Sequence, residues 1–312
     1  MQQDFQYILK IYEEGSFSKA AEALYVTQPT LSIAIQKIES SIGMPLFDRS
    51  RRPLRLTQAG EIYISMIQEM KQMETDIDHQ LQDIRELHTG TLTLGGSHYM
   101  NSYILPSVLS QFSHSYPNIQ IHLVEESSAV LASMLTDLKL DLTFSCNENF
   151  MDKLEKYPAF YDHIMLAVPT NHPINEKYCG AALTTQDILT QKHLAVECPA
   201  ISLSDFQDLD FILLNEGNNL YDRSIEMFRE AGFHPKIRIT LAQLVTAYHL
   251  AESGYAATLI SDRLIRTPTD NLVFYKINSA QTQRLFYILL PNRRYTTHAA
   301  KMFIHFFLTN WK

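Results

Sequence analysis

One stretch, residues 16 to 47, constrains the fold of this chain more than any other. Ala20 and Ala21 give a first short helix a face of small side chains that allows close packing. A turn follows, and Thr27 then offers the hydroxyl that caps a second helix. Pro29 stands in the first turn of that helix, where a missing N–H group costs nothing. The stretch therefore predicts two helices joined by a tight turn.

The second helix has one apolar stripe and one exposed face. Leu31, Ile35 and Ile38 recur at i, i+4 and i+7, which places them on the same side. Polar first-turn side chains on the other side are typical of a helix-turn-helix whose second helix reads a DNA major groove. An ordinary helical hairpin in a core explains the same pattern. On the first interpretation the reading surface consists of Thr27, Gln28, Pro29, Thr30, Ser32, Ile33, Gln36 and Lys37.

An arginine-rich segment follows the second helix. Gly43 and Pro45 end the helix, and residues 46 to 57 alternate as two short strands around a turn. Beside a recognition helix we interpret this segment as a wing, because guanidinium groups there can reach phosphates and an adjacent minor groove. A solvated basic loop is the alternative. The arginines concerned are Arg49, Arg51, Arg52 and Arg55.

Residues 13 to 61 resemble the N-terminal signature of LysR-type transcriptional regulators. The shared elements, in chain order, are Gly15 to Phe17, Ala20-Ala21, Gln28-Pro29, Ser32, Glu39, Gly43, Pro45 to Phe47, Arg49, Leu56-Thr57 and Ala59-Gly60. The sequence departs from the family at Ile33-Ala34, where a polar residue is common, and at Ile38, which replaces Leu. The resemblance implies a winged helix-turn-helix DNA-binding domain over residues 1 to 58.

Charge and composition restrict how DNA could bind. The 312 residues carry a net charge of -8, which argues against general affinity for nucleic acid, so binding to operator DNA must be local. A hydrophobic content of 46% is typical of soluble proteins with sizeable cores. The three cysteines match no metal or redox spacing, and neither a signal peptide nor a run of ~18 apolar residues is present. We therefore expect a cytoplasmic protein with no membrane association.

A long helix is predicted over residues 59 to 89. Thr57 caps it, and no Pro or Gly interrupts it after Gly60. The buried face of a helix lying on a domain would show a similar stripe, but the position between two domains favours a homodimeric coiled coil. Resemblance to the LysR linker helix agrees and implies a tetramer, a dimer of dimers. The predicted seam comprises Tyr63, Met66, Met70, Met73, Ile77, Gln80, Ile84 and Leu87.

Residues 90 to 312 consist of short β-like runs separated by amphipathic stretches. This alternation predicts an α/β fold with a mostly parallel sheet and helices on both faces. The nine predicted strands are 91–96, 119–126, 140–145, 164–169, 211–215, 236–240, 256–261, 272–277 and 284–291.

Residues 91 to 145 also resemble the opening of a LysR effector-binding domain. The resemblance implies two lobes of the periplasmic-binding-protein type, with two crossovers between them. We expect lobe I to comprise residues 90–162 and 268–312, and lobe II residues 163–267. About twenty residues near 180–200 are interpreted as an insertion in lobe II.

Polar residues follow four of the predicted strands. Ligands of open α/β sheets bind beyond the carboxyl ends of strands, where Ser, Asn and helix N-terminal N–H groups can hold a carboxylate. N-capping is the alternative role for each Ser and Asn. We predict a small, polar, carboxylate-bearing effector, singly anionic or zwitterionic, that closes the lobes across residues 162 and 267. The predicted effector-binding residues are Ser97, His98, Ser127, Ser128, Ser145, Asn147, Asn215 and Asn218.

Catalytic and metal motifs are missing from the sequence. The twelve histidines form no H-x-x-x-H or HExxH pair, and no GxSxG, GxxxxGK[ST] or strand-linked GxGxxG motif occurs. We expect no catalytic residues, no cofactor and no metal site. Two functions remain: an effector-controlled transcriptional regulator, and a small-molecule (solute) binding module without a role on DNA. The helix-turn-helix and wing favour the regulator.

Overall fold

A computed structural model describes residues 2–50, 54–85, 90–152, 154–292 and 295–311. The chain divides into two compact units, Met1–Gln82 and Asp83–Lys312. The first is helical with a small β-ribbon, and the second is α/β. Over the described ranges, no helix has the length and apolar character needed to cross a bilayer.

The first unit contains a three-helix core, a two-stranded ribbon and the start of a long helix. Thr27 caps α3 by accepting a hydrogen bond from the N–H of Thr30, and Gly43 ends it at a φ of 79°. Gly60 is required in the first turn of α4, because a Cβ there would collide with the carbonyl of Leu46. The elements are α1 (Gln2–Glu14), α2 (Phe17–Ala23), α3 (Gln28–Ile42), β1 (Phe47–Asp48), β2 (Arg55–Leu56) and α4 (Gln58–Arg85).

The core of this unit joins all four helices. Ile8 of α1 and Leu31 of α3 are completely buried in it, and Ile64 and Ile67 of α4 are buried against them. Tyr63, predicted to lie on the coiled-coil seam, instead packs against this core, with its ring 6.3 Å from that of Phe5. The first turns of α4 therefore belong to the helical domain.

Farther along α4 a stripe of apolar side chains is exposed. In the single chain Met66, Met70, Met73, Ile77 and Leu81 all face solvent. Water-exposed apolar rows of this kind are costly for an isolated chain. The predicted seam side chains Gln80 and Ile84, and residue Leu87, lie outside the described residues.

The second unit alternates strands with helices. Its strands are β3 (Gly90–Gly96), β4 (Ile119–Glu125), β5 (Leu142–Ser145), β6 (Leu154–Pro169), β7 (Ala200–Ile201), β8 (Asp210–Leu214), β9 (Lys236–Leu241), β10 (Ala257–Ser261), β11 (Leu272–Ile277) and β12 (Gln283–Pro291). Its helices are α5 (Leu105–Ser115), α6 (Ser128–Thr136), α7 (Ile174–Lys177), α8 (Thr185–Leu189), α9 (Asn219–Glu230), α10 (Leu244–Glu252) and α11 (His298–Asn310).

The sheet of this unit is mixed, and the prediction of a mostly parallel sheet was wrong. Its order is β4-β3-β5-β12-β6-β10-β8-β9, with β11 also on β6 and β7 on β11. Strands β3, β4 and β5 are parallel to one another, as are β8, β9 and β10. Strand β6 is antiparallel to β10, β11 and β12. Strand β12 is also antiparallel to β5, so the two parallel groups are connected through β6 and β12, which run against every strand they pair with.

Strand β6 belongs to both lobes. Residues 154 to 163 pair with β12, whereas residues 164 to 169 pair with β10 and β11. The pairing partner of β6 therefore changes between residues 163 and 164. Strand β11 pairs with the second half of β6, whereas β12 pairs with the first half, and the lobe boundaries at residues 162 and 267 stay predictions. The pairing partner of a strand decides its lobe, and a linear sequence does not display that partner.

The segment near 180–200 is folded onto lobe II. It contains α8 and a 3-10 turn over Lys192–Leu194, and Leu183 forms an isolated bridge with Phe274 of β11. Ile188 and Cys198 are buried in the main core. The segment thus contributes to the packing of lobe II.

Candidate DNA-binding surface and effector cavity

One face of helix α3 is buried and another is exposed, as the apolar pattern predicts. Leu31 and Ile35 are completely buried, and Ser32 is half-buried. Ile33 is 55% exposed, so its side chain is not packed into its own domain. The remaining predicted contacts are exposed to solvent: Thr27, Gln28, Pro29, Thr30, Gln36 and Lys37.

Hydrogen bonds within α3 orient its first-turn polar groups. The Nε2 of Gln28 donates to the Oγ of Ser32 at 2.9 Å, and the hydroxyls of Thr27 and Thr30 lie 2.7 Å apart. These pairs at i+4 and i+3 lie along the helix surface. A base contact by Gln28 would therefore replace an existing bond, which lowers the net gain.

Arg49 has partners within its own domain. Its Nη2 donates to Oε2 of Glu39 at 3.0 Å, and its guanidinium stacks over the ring of Phe17 at 4.8 Å. Glu39 also accepts the N–H of Leu46 at 2.8 Å. This network fixes the end of α3 against the start of the ribbon, a structural role that the basic composition of the segment did not reveal. Arg55 is exposed on β2, while Arg51 and Arg52 lie outside the described residues.

The second unit contains a cavity of about 610 Å³ at the strand ends. All the predicted effector-binding residues line it: Ser97, His98, Ser127, Ser128, Ser145, Asn147, Asn215 and Asn218. They come from the ends of β3, β4 and β5, which are parallel to one another, and from the end of β8, which belongs to the other parallel group. Sequence reasoning missed several lining residues, among them Glu125, Glu126, Gln243, Arg284 and Phe286, while Cys146 and Glu216 lie within the runs that it selected at the strand ends.

Several of these polar side chains cap helices, as the alternative interpretation proposed. Ser127 accepts the N–H of Val130 at the start of α6, and Asn218 accepts that of Leu220 at the start of α9. Asn147 caps a 3-10 turn in the same way. Capping uses an acceptor oxygen, and hydroxyl or amide hydrogens of the same side chains are still donors. Capping and ligand binding are therefore compatible at these positions.

A buried ion pair lies beneath the cavity. The Nε of Arg284 donates to Oδ1 of Asp162 at 2.7 Å, and Nη2 donates to Oδ2. Burial lowers the pKa of Arg284, but attraction to Asp162 outweighs it and raises the pKa above its usual range. Tyr99 completes the group, with its hydroxyl 2.8 Å from Oγ of Ser261 and 3.3 Å from Asp162. The positive charge of Arg284 is thus already neutralised inside the protein.

The remaining formal charges on the cavity wall are acidic. Glu125, Glu126 and Glu216 line it, and His98 places its Nδ1 3.0 Å from Oε1 of Glu125. Because Arg284 is paired, the wall has more uncompensated negative than positive charge. This balance disfavours a ligand with only negative groups.

Cys146 presents an un-ionised thiol to the cavity. Burial raises its pKa to about 11, and its Sγ lies 3.1 Å from Oδ1 of Asn219. A thiol that stays protonated at neutral pH is a poor nucleophile and a poor metal ligand. Within the described part of the chain, a group of side chains that could hold a metal ion lies elsewhere, where His163, His193 and Asp262 converge.

Two family models together span the chain. One described as the LysR substrate binding domain matches residues 85–312, and one described as a bacterial regulatory helix-turn-helix protein of the lysR family matches residues 2–61. The HTH-type transcriptional regulator YcgK of Bacillus subtilis (strain 168) is 26% identical over 302 residues, covering 96% of this chain and 91% of the relative. A probable RuBisCO transcriptional regulator of Cyanophora paradoxa is 26% identical over 310 residues, covering 97% and 90%.

Solved structures of similar fold span almost the whole chain. Full-length CbnR complexed with its target DNA has a TM-score of 0.59 at 17% identity and covers 98% of both chains. Full-length BenM has a TM-score of 0.57 at 20% identity and covers 98% of this chain and 95% of its own. At these identities the likeness shows the fold.

Proposed function

Because the chain belongs to the LysR family of transcriptional regulators, we propose that its operator binding is controlled by a small zwitterion held in the strand-end cavity. The protein is a transcriptional regulator with a helix-turn-helix DNA-binding domain and an effector-binding domain. The observation that carries the proposal is the convergence of polar residues from four separate strand ends on one cavity.

The charges of the cavity support a zwitterion over a simple anion. The N-terminus of α6, with Ser127 and Ser128, offers N–H and hydroxyl donors to a carboxylate. Glu126 and Glu216 offer carboxylates to an ammonium group. Arg284 is paired with Asp162 and would not supply the charge that a dianion requires. An amino acid or similar molecule satisfies both sets of groups.

On DNA, α3 would select the sequence and the wing would add affinity. The exposed amide of Gln28 suits adenine, and the exposed methyl groups of Ile33 suit the methyl group of thymine. Arg55 would approach phosphates, and Arg51 and Arg52 are proposed to do so from the turn. Arg49 would contribute mainly by holding the ribbon against α3.

The exposed stripe of α4 supports a homodimer through this helix. LysR regulators oligomerise, and a second copy of α4 would cover the row from Met66 to Leu81. The family resemblance extends this dimer to a tetramer. The names of the relatives support a regulator and not an enzyme, and binding to operator DNA would be consistent with the proposed location in the cytoplasm.

A calorimetric screen on the full-length protein tests the ligand class. The panel comprises amino acids, monocarboxylates, primary amines, dicarboxylates and sugar phosphates. We expect binding by one or more amino acids, and the same compound should change the gel-shift pattern on the protein's own upstream DNA. A screen in which only monocarboxylates, primary amines, dicarboxylates or sugar phosphates bind would contradict the zwitterion.

A further inference from the structure

Three side chains from distant parts of the chain meet where β6 passes from one lobe to the other. His163 is the last residue of β6 that pairs with β12, and Asp262 follows β10 directly. His193 lies in the 3-10 turn of the segment near 180–200. Asp262 is 99 positions from His163 and 69 from His193, so no spacing motif could reveal the group.

The ligand atoms of these residues are close together. Oδ2 of Asp262 lies 2.9 Å from Nε2 of His193 and 3.3 Å from Nδ1 of His163. The three atoms lie within 4.8 Å of one another. A metal ion with bonds of about 2.0 to 2.2 Å holds neighbouring ligand atoms about 3 to 3.5 Å apart. Small side-chain rotations therefore bring all three atoms onto one ion.

The surroundings of Asp262 suit a cation. The side chains of His193 and Asp262 are 3% and 8% exposed, and that of His163 is 24% exposed. Both ion-pair partners of Asp262 in the described part of the chain are histidines, which are neutral when they bind metal.

Hydrogen bonds orient the carboxylate of Asp262 toward both rings. Oδ1 of Asp262 is held by the N–H of His163 at 3.0 Å, which leaves Oδ2 directed at both imidazoles.

We propose that His163, His193 and Asp262 form a binding site for one divalent first-row transition-metal ion. Two imidazoles and one carboxylate suit Zn²⁺, Co²⁺ or Ni²⁺, whereas Mg²⁺ and Ca²⁺ prefer oxygen ligands alone. The partial exposure of His163 lets water reach the remaining coordination positions. The side-chain amide of Gln283 on β12 lies 3.4 Å from Nε2 of His163 and helps to orient the imidazole ring.

Such an ion would join three segments at the lobe crossover. His163 belongs to β6, Asp262 to the end of β10, and His193 to the segment near 180–200. The ion would bind the folded arrangement and not the unfolded chain, and would stabilise it by mass action. This site lies outside the effector cavity, and its existence does not depend on the proposed effector.

Titration of metal-stripped full-length protein with Zn²⁺ tests the site. We expect one equivalent per chain, and Co²⁺ should give visible absorption bands typical of nitrogen and oxygen ligands. His163→Gln and His193→Gln should each weaken Zn²⁺ binding by at least about tenfold. The matched control is His249→Gln, because His249 forms an exposed pair with Glu252 on α10. That variant should bind Zn²⁺ like the wild type.

Thermal unfolding provides a second measurement. Zn²⁺ should raise the Tm of the wild type and of His249→Gln but not that of His163→Gln, whose ring is the most exposed of the three and least needed for folding. Absence of stoichiometric binding to the wild type would overturn the site. Equal Zn²⁺ affinity in His163→Gln and the wild type would do so as well.

Discussion

The proposed DNA-reading surface and the proposed effector cavity use similar polar residues but are assembled differently. The surface comes from one continuous run, residues 27 to 37, on a single helix. The cavity collects residues from Ser97 to Phe286, contributed by several strand ends. A continuous surface is visible as a sequence motif, whereas a cavity becomes visible only through the rule that parallel strands end on one side.

The two regions also differ in how many of their polar and charged side chains already have partners within the protein. On α3, Ile33 and Lys37 face solvent. In the cavity, Ser127 and Asn218 cap helices, and Arg284 is bound to Asp162. A ligand of the cavity must therefore use hydrogen-bond donors that remain after folding, while DNA meets side chains that are largely solvated.

The largest expected effect tests whether one α3 surface suffices for operator binding or whether the two copies in a dimer are needed. Met70→Glu combined with Ile77→Glu places charges on the exposed stripe of α4, so the dimer should dissociate. Losing the second half-site should weaken operator binding by about 10²- to 10⁴-fold. Sedimentation velocity and gel shift measure both effects. Ser65→Glu with Gln68→Glu adds the same charge on another face, and an equal loss there would contradict the assignment of the stripe.

The next prediction concerns the interior of the cavity. Because the pKa of Cys146 is raised from 9 to about 11, the fraction of its thiol that is ionised at pH 8 is about one hundredth of that of an ordinary cysteine. Cys146 should therefore react with iodoacetamide about 100-fold more slowly than an ordinary thiol at this pH. Its rate should rise about tenfold per pH unit up to about pH 11. Mass spectrometry follows each site, and the exposed Cys179 serves as the internal reference. Fast modification of Cys146 at pH 8 would mean that the cavity is wetter than its burial indicates.

Ser97→Ala should affect the cavity without affecting DNA. Its hydroxyl lies 3.5 Å from the N–H of Met100, a long contact that leaves most of its hydrogen-bonding capacity for a ligand. Losing a hydrogen bond to a charged group costs about 1.5 to 3 kcal/mol, so effector binding should weaken about tenfold or more. Calorimetry measures this change, and effector-free gel shifts should match the wild type. Ser110→Ala, on an exposed face of α5, is the control.

Changes at Gln28 and Arg55 should separate sequence choice from affinity. Gln28→Ala should reduce discrimination at one base pair by about 1 kcal/mol, near the lower limit for an amide contact, because Gln28 already donates to Ser32. Arg55→Ala should weaken all sites alike and reduce the salt slope by about one. A randomised operator library measures both. Uniform loss in both variants would contradict the division of roles.

The smallest effect is expected at Ile33. Contact with a thymine methyl group is worth about 0.8 kcal/mol, so replacing one thymine by uracil should weaken wild-type binding about fourfold. Ile33→Ala should be insensitive to the same replacement. Fluorescence anisotropy on half-sites with single replacements resolves such differences. Equal sensitivity in the two proteins would exclude the contact.

Local patterns predicted most elements but not their partners. The second half of β6 is apolar and was recognised as a strand, whereas residues 154 to 163 mix charged and aromatic residues around Pro158 and were not. Arg284 and Asp162 were missed because their pairing, 122 positions apart, depends on β12 lying beside β6. One signal was available: a charged residue that begins an apolar run in a central strand needs a buried partner.

For the candidate effector and DNA-binding residues too, local patterns did not reveal partners that are distant in the sequence. Ser127 and Asn218 could be selected because capping residues mark strand-to-helix junctions wherever they occur. Glu125 and Glu126 were missed as lining residues because an acidic side chain at a strand end looks like any solvated residue. Arg49 was assigned to DNA from its neighbours, but its bond to Glu39 depends on the turn that returns β1 to α3.

The continuity of β6 determines how the lobes can move. His163 pairs with β12 and Ile164 with β10, so neighbouring residues of one unbroken strand belong to different lobes. Closure about this point must twist a hydrogen-bonded ribbon, because no loop is available there to swing freely. A hydrogen-bonded ribbon resists a change in its twist. Part of the free energy of effector binding would therefore be stored as strain in β6 and released when the effector leaves. Relaxation to the open form would then be driven by the strand itself.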